Sequence, residues 1–135
     1  MNVLETEWWT MGVPPEWWAE REDDSILVGD RDDVGCIEIS TLCKDQGEFQ
    51  RDEVSAIARD NGEPDWQWQP GAAGAFSGVY CEYLEEGDAV REWYLAAGPV
   101  LLFITYSCDE DNRGLDDAAV DDILGTLALA AESAD

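Results

Sequence analysis

One stretch narrows the possible folds more than any other: Val100-Leu-Leu-Phe-Ile-Thr-Tyr106. It is short, rich in β-formers and apolar on both of its alternating faces. A segment of this kind reads as a strand buried on both sides, in the centre of a sheet. A strand over Val100 to Cys108 with two dry faces needs a covering layer on each. The rest of the 135-residue chain must supply those layers. That length suits one domain. A chain of this size buries roughly two-thirds of its unfolded surface, and 45% of its residues are apolar.

The flanking segments suggest how the layers are made. Ser77 to Glu85, Val90 to Ala97 and Val100 to Cys108 are separated by the turn signals Glu85-Glu-Gly-Asp88 and Gly98-Pro99. Antiparallel neighbours in a meander are the simplest arrangement. Upstream, Trp8 to Val13 reads as a strand, broken at Pro14-Pro15 because neither proline can donate to a ladder. Extended structure resumes at Trp17 to Glu20, then Ser25 to Val28 and Val34 to Leu42. A helix is expected over Glu48 to Ala58, with Phe49, Val54, Ile57 and Ala58 on one stripe and Asn61-Gly62 as its stop. Pro70 to Gly74 reads as a loop. A second helix is expected from Asp116 to Leu129, burying Val120, Ile123, Leu124 and Leu127. The predicted class is α+β: one antiparallel meander sheet flanked by two helices, in a single domain over residues 1–135.

Charge restricts function. There are 32 acidic residues against seven Lys and Arg, no His, and a net charge of −25. Binding nucleic acid needs a cationic stripe for the phosphates, and this chain has none to offer. An anionic membrane surface is disfavoured by the same sign. A basic protein partner is the binding partner such a field would steer in. Acidic composition with a single lysine, Lys44, also resembles adaptation to high salt. The first residues carry no basic region followed by an apolar stretch, so a cytoplasmic protein is expected.

Catalytic signatures are missing. Without His, the Ser-His-Asp and Cys-His arrangements have no base. No phosphate-cradling or dinucleotide motif occurs, so no cofactor is expected. Among 32 acids some close pair is inevitable, so carboxylate spacing alone does not indicate a glycosidase. The loop Asp109 to Gly114 has acids at positions one and three and a glycine at six of a calcium loop. It has Arg113 at five and Val120 at twelve, so no metal site is expected. Cys36, Cys43, Cys81 and Cys108 form no Cys-x-x-Cys pair and read as free thiols within apolar runs.

Seven tryptophans are the remaining anomaly. In an extended pair such as Trp8-Trp9 or Trp17-Trp18, one ring faces the core and the other faces out. Trp66 and Trp68 share a face. Aromatic rings supply burial, and they also anchor interfaces and stack on sugars. The candidate binding residues are Trp9, Trp18, Trp66, Trp68 and Trp93.

Three local patterns carry a resemblance: Gly12-Val-Pro-Pro-Glu-Trp17, Leu102-Phe-Ile-Thr-Tyr106 and Asp121-Asp-Ile-Leu-Gly-Thr-Leu127. With the order of elements, they make the chain similar to the PsbP-like superfamily of thylakoid PsbP and Ran-binding Mog proteins. That resemblance implies a PsbP-like α/β sandwich and a non-catalytic role in protein binding. The seven tryptophans and the acidity depart from the family pattern. Three functions therefore stand open: an acidic domain that binds a basic protein, such as an inhibitor; a small-ligand or carbohydrate module using Trp66 and Trp68; and a two-carboxylate hydrolase.

Overall fold

The computed structural model describes residues 2–63 and 66–130. Among these residues ten strands and two α-helices follow one another in the order β1 (Asn2–Glu5), β2 (Trp9–Val13), β3 (Trp17–Arg21), β4 (Ile26–Asp30), β5 (Gly35–Cys43), α1 (Arg51–Asn61), β6 (Gln69–Ala73), β7 (Phe76–Glu85), β8 (Asp88–Ala97), β9 (Val100–Asp109), α2 (Asp117–Leu124) and β10 (Ala128–Leu129). Seven strands make one antiparallel sheet in the order β3-β4-β5-β9-β8-β7-β6, and β1-β2-β10 make a second.

This corrects the expected class. The molecule is a β-rich fold of two sheets, not an α+β meander under two helices. Three local causes account for the difference. The Pro14-Pro15 turn separates β2 from β3, so β2 joins the small sheet rather than the large one. Residues Gln69–Ala73, expected in part as a loop, form β6. Pro70 is tolerated there because β6 is an edge strand. The second helix stops at Leu124 instead of Leu129. Gly125 and Thr126 follow, both poor helix formers. Thr126 Oγ1 donates to the Ile123 carbonyl at 2.6 Å and accepts from Gly12 N at 2.7 Å. The chain then pairs Ala128 with Thr10 and Leu129 with Trp9 as β10.

Strand β9 lies fourth of seven in the large sheet. Its residues alternate between two separate cores. Val100, Leu102, Ile104, Tyr106 and Cys108 face inward with Ile37, Ile39, Trp93 and Leu95. On this side the small sheet and α2 close the core with Trp9, Met11, Val120, Ile123, Leu124 and Leu127. Trp9 Nε1 donates to Thr41 Oγ1 at 2.9 Å, which fixes the small sheet to β5. Arg91 ties α2 down, reaching Asp121 at 2.8 Å and Asp117 at 3.5 Å while lying over the Trp93 ring. Leu101 and Phe103 face the other way, where α1 packs Val54 and Ala58 against Tyr94.

Helix α1 starts later than its stripe suggested, at Arg51 rather than Glu48. Gln50 N donates to Glu53 Oε1 at 3.1 Å, closing the first turn. Lys44 pairs with the same carboxylate at 2.7 Å. The helix ends at Asn61-Gly62 as expected, but Gly62 is extended (φ −102°) and not left-handed. Its lack of a side chain serves a close approach instead. A Cβ there would sit 2.7 Å from the Trp66 ring.

Candidate functional site

The outer face of the large sheet is incompletely covered. Seven strands at about 4.8 Å spacing span roughly 29 Å. A single helix is about 10 Å wide. Lying over β7 and β8, α1 therefore leaves an open groove on each flank. The groove on the β6–β7 side has a volume of about 640 Å³. Its floor is Pro70, Ala72, Ser77, Val79 and Ala96, with Phe49 and Trp68 also lining it. These are small or apolar groups, and they leave depth between helix and edge strand. On the β5–β9 side a shallower groove of about 460 Å³ runs past Leu42, Ile57, Tyr94 and Phe103. Buried Glu92 faces it; burial pushes its carboxyl up from the usual range, and it accepts from the Tyr83 hydroxyl at 3.0 Å.

The wall of the larger groove is one edge of α1. Arg51, Ser55 and Arg59 recur every four residues and so share that edge. Val54 and Ala58 lie beneath them in the core. Beyond Arg59 the wall continues to Glu63, Trp66 and Trp68, which line an adjoining recess of about 380 Å³.

The predicted tryptophans are not one patch. Trp9 is fully buried in the inner core, and Trp93 is 4% exposed there. Of the first pair, Trp8 faces solvent and Trp9 does not, so the outward member is the other residue. Trp17 is buried and Trp18 is partly exposed. Trp18 lies flat over Gly29, where a Cβ would clash with its ring, and donates to the Asp30 carbonyl at 3.1 Å. Only Trp66 and Trp68 come together, with ring centroids 6.2 Å apart. Trp66 stacks on Tyr83 at 4.0 Å, and Trp68 meets Tyr94 edge-on at 5.6 Å. The Trp68 indole N–H is buried with no acceptor among the described residues. Sequence reasoning found these two rings but missed the arginine edge. The four-residue spacing of Arg51, Ser55 and Arg59 was the signal available for it.

A second polar cluster lies at the start of α2. Tyr106 donates to Asp116 Oδ2 at 2.6 Å, and Val34 N donates to Asp30 Oδ1 at 2.8 Å. Asp30 is 6% exposed, and its Oδ2 has no N–H donor. A protonated Asp116 carboxyl would offer it an O–H donor. Burial, with the neighbouring Asp30 carboxylate next in effect, raises Asp116 from 3.8 to about 6. The acidic loop after β9 forms a 3-10 turn capped by Asp109, and no cluster of metal-ligating side chains occurs among the described residues. All four cysteines are free thiols.

Fold and site together define a class: a two-sheet, β-rich domain whose outer face carries one helix between two open grooves. A protein of Bacteroides thetaiotaomicron VPI-5482, solved at 1.50 Å resolution, is similar in fold, with a TM-score of 0.71 at 19% identity. The match covers 94% of this chain and 47% of that one, so this chain spans about half that protein's length. LpqN of Mycobacterium tuberculosis, described as involved in cell envelope biogenesis, gives a TM-score of 0.60 at 17% identity, covering 91% of this chain and 83% of LpqN. No family model and no curated protein matches the chain.

Proposed function

We propose that this chain is a non-catalytic binding domain whose larger outer groove holds a small, mainly apolar ligand. The observation that carries the reading is the groove itself. Its volume falls within the roughly 300–1,000 Å³ of ordinary ligand sites. It pairs an apolar floor with a few polar groups on one wall, the usual composition of such sites. The aromatic recess at Trp66 and Trp68 extends it at one end. The chemistry of the chain fits binding rather than turnover, because it has no histidine and its buried carboxyls Glu92 and Asp30 lie apart from the groove floor.

The test is a titration with an apolar environment-sensitive dye, comparing the wild type with Ala72→Trp. Ala72 is exposed on the groove floor, so a large ring there fills the space without entering either core. Saturable one-to-one binding that Ala72→Trp removes is expected. Equal binding by both proteins would overturn the assignment.

One observation favours a second reading, docking of a basic protein. The hydrogen bond from Glu110 N to the Gly87 carbonyl joins two acidic loops. It gathers Glu85, Glu86, Asp88, Asp109, Glu110 and Asp111 at one end of the sheet. The PsbP-like resemblance, which implies protein binding, points the same way. Reversing Glu85 and Glu86 to lysine would then slow association with an oligolysine probe; an unchanged rate would remove this reading.

A further inference from the structure

We infer that the ligand of the larger groove is a single-chain anionic amphiphile, its apolar chain on the Val79–Ala96 floor and its head over Ser55 between Arg51 and Arg59. The inference rests on the reading of this groove as a ligand site and supplies the chemical class.

The distribution of cations carries the argument. The chain has only seven cationic residues against 32 acids. Five of them are engaged within the fold. Lys44 pairs with Glu53, Arg91 with Asp117 and Asp121, and Arg113 approaches Glu82 at 4.0 Å. Arg21 and Arg31 donate to the carbonyls of Glu5 and Pro15. Arg51 and Arg59 make no ion pair or side-chain hydrogen bond among the described residues, and both line this groove. Among the described residues these two arginines therefore stand without a carboxylate partner in a chain of 32 acids.

Their placement is specific. Eight residues of helix separate them by about 12 Å, with Ser55 midway. Long, flexible stems let both guanidiniums converge on a head at the centre, where Ser55 adds a hydroxyl donor. Arg59 sits in the last turn of α1, where a cation suits the helix dipole. Arg51 is the first helical residue, where the dipole opposes a cation. Helix stability does not account for an arginine there, whereas an anion held at the groove does.

The floor selects the rest of the molecule. Ser77 is the one floor residue with a hydrogen-bonding side chain; Pro70, Ala72, Val79 and Ala96 offer none to a polar chain. The neighbouring edge strand β6 is only five residues long and contains Pro70, so it is a poor template for an added peptide strand. An aliphatic chain needs neither.

The experiment uses the full chain and probes differing only at the head: dodecanoate, dodecyl phosphate, dodecanol and dodecyltrimethylammonium, each titrated by calorimetry below its micelle concentration. Charge-assisted bonds to two arginines predict at least about tenfold tighter binding of the anionic probes than of dodecanol. Arg51→Gln and Arg59→Gln each narrow that gap, and the double variant closes it while dodecanol binding stays unchanged. Raising salt also narrows it. A ratio of dodecanoate to dodecyl phosphate far from one identifies the head as carboxylate or phosphate. Equal binding of all four probes, untouched by the arginine variants but lost in Ala72→Trp, overturns the anionic class and leaves the ligand site standing. Absence of binding by every probe and by the apolar dye overturns both.

Discussion

The two faces of the large sheet use the same strands for opposite ends. On the inner face, β9 meets a second sheet and α2, and its side chains Leu102 and Ile104 are fully buried. On the outer face the sheet meets one eleven-residue helix and two grooves, of which β9 borders only the smaller. Among the described residues the inner core holds twenty-one buried hydrophobic residues and the outer one four. Hydrophobic stabilisation scales with apolar area removed from water, so the inner face supplies most of the stability. That leaves the outer face free to remain partly uncovered and to bind. If this division holds, substitutions on the two faces separate stability from binding.

The largest effect is expected at Trp9. It is fully buried, spans the gap between the two sheets and loses a hydrogen bond to Thr41 when removed. Trp9→Ala should cost about 3–5 kcal/mol in urea denaturation, in line with large aromatic deletions. Dye binding by the remaining folded protein should be unchanged. A loss below about 1 kcal/mol would show that the small sheet is not an integral cover. On the outer face, Val54→Ala removes two buried methyl groups beneath the arginine edge. At about 0.8 kcal/mol for each, with a small cavity term, the cost is about 2 kcal/mol. The helix should also shift, so the same variant should weaken binding. Trp9→Ala and Val54→Ala thus give opposite ratios of lost stability to lost affinity.

The inner face has one soft point. Asp116, next to buried Asp30, has its carboxyl raised from 3.8 to about 6 by burial and then by the neighbouring Asp30 carboxylate. The folded state therefore holds this proton more tightly than the unfolded chain does. Its stabilising contribution is complete below pH 4 and is lost as pH climbs through about 6. At pH 7 the pair is a strain on the start of α2. Asp116→Asn supplies a permanent N–H donor for Asp30 Oδ2 and keeps an oxygen for the Tyr106 hydroxyl. After discounting for partial exposure, it should stabilise by about 1 kcal/mol at pH 7. The advantage should vanish near pH 4, where the wild-type carboxyl is protonated. The comparison between the two proteins also cancels the general relief of acid repulsion, which both share. An advantage that stays constant with pH would show that no shared proton exists.

What could be read in the sequence follows from how local each signal is. The meander β7–β8–β9 and the central place of β9 came from unbroken apolar alternation and short turns, which depend only on neighbours in sequence. The small sheet did not, because β10 is two residues long and exists only by pairing with Trp9 and Thr10 more than a hundred positions away. Strand β6 was hidden by Pro70 and Gly71, which mark a loop unless the strand is known to lie at an edge. The tryptophan patch was overestimated for a similar reason. A ring's residue type gives its size but not its burial, and Trp9 and Trp93 were placed inside by the second sheet and by Arg91. The groove is the least local feature of all, since it arises from the mismatch between the width of seven strands and that of one helix.

The smallest effect on stability, and the one that best separates the two faces, is expected at Arg51. As the first residue of α1 it opposes the helix dipole, and among the described residues it has no partner to offset that cost. Arg51→Gln should leave stability unchanged or raise it by up to about 0.5 kcal/mol in urea. The same change should weaken binding of an anionic amphiphile. A residue that costs the fold and favours a ligand is characteristic of a binding site, and no inner-face residue described above behaves in that way. If Arg51→Gln instead destabilises the protein by more than about 1 kcal/mol, this arginine belongs to the architecture. The outer face would then be a second core, smaller than the first but built for the same purpose.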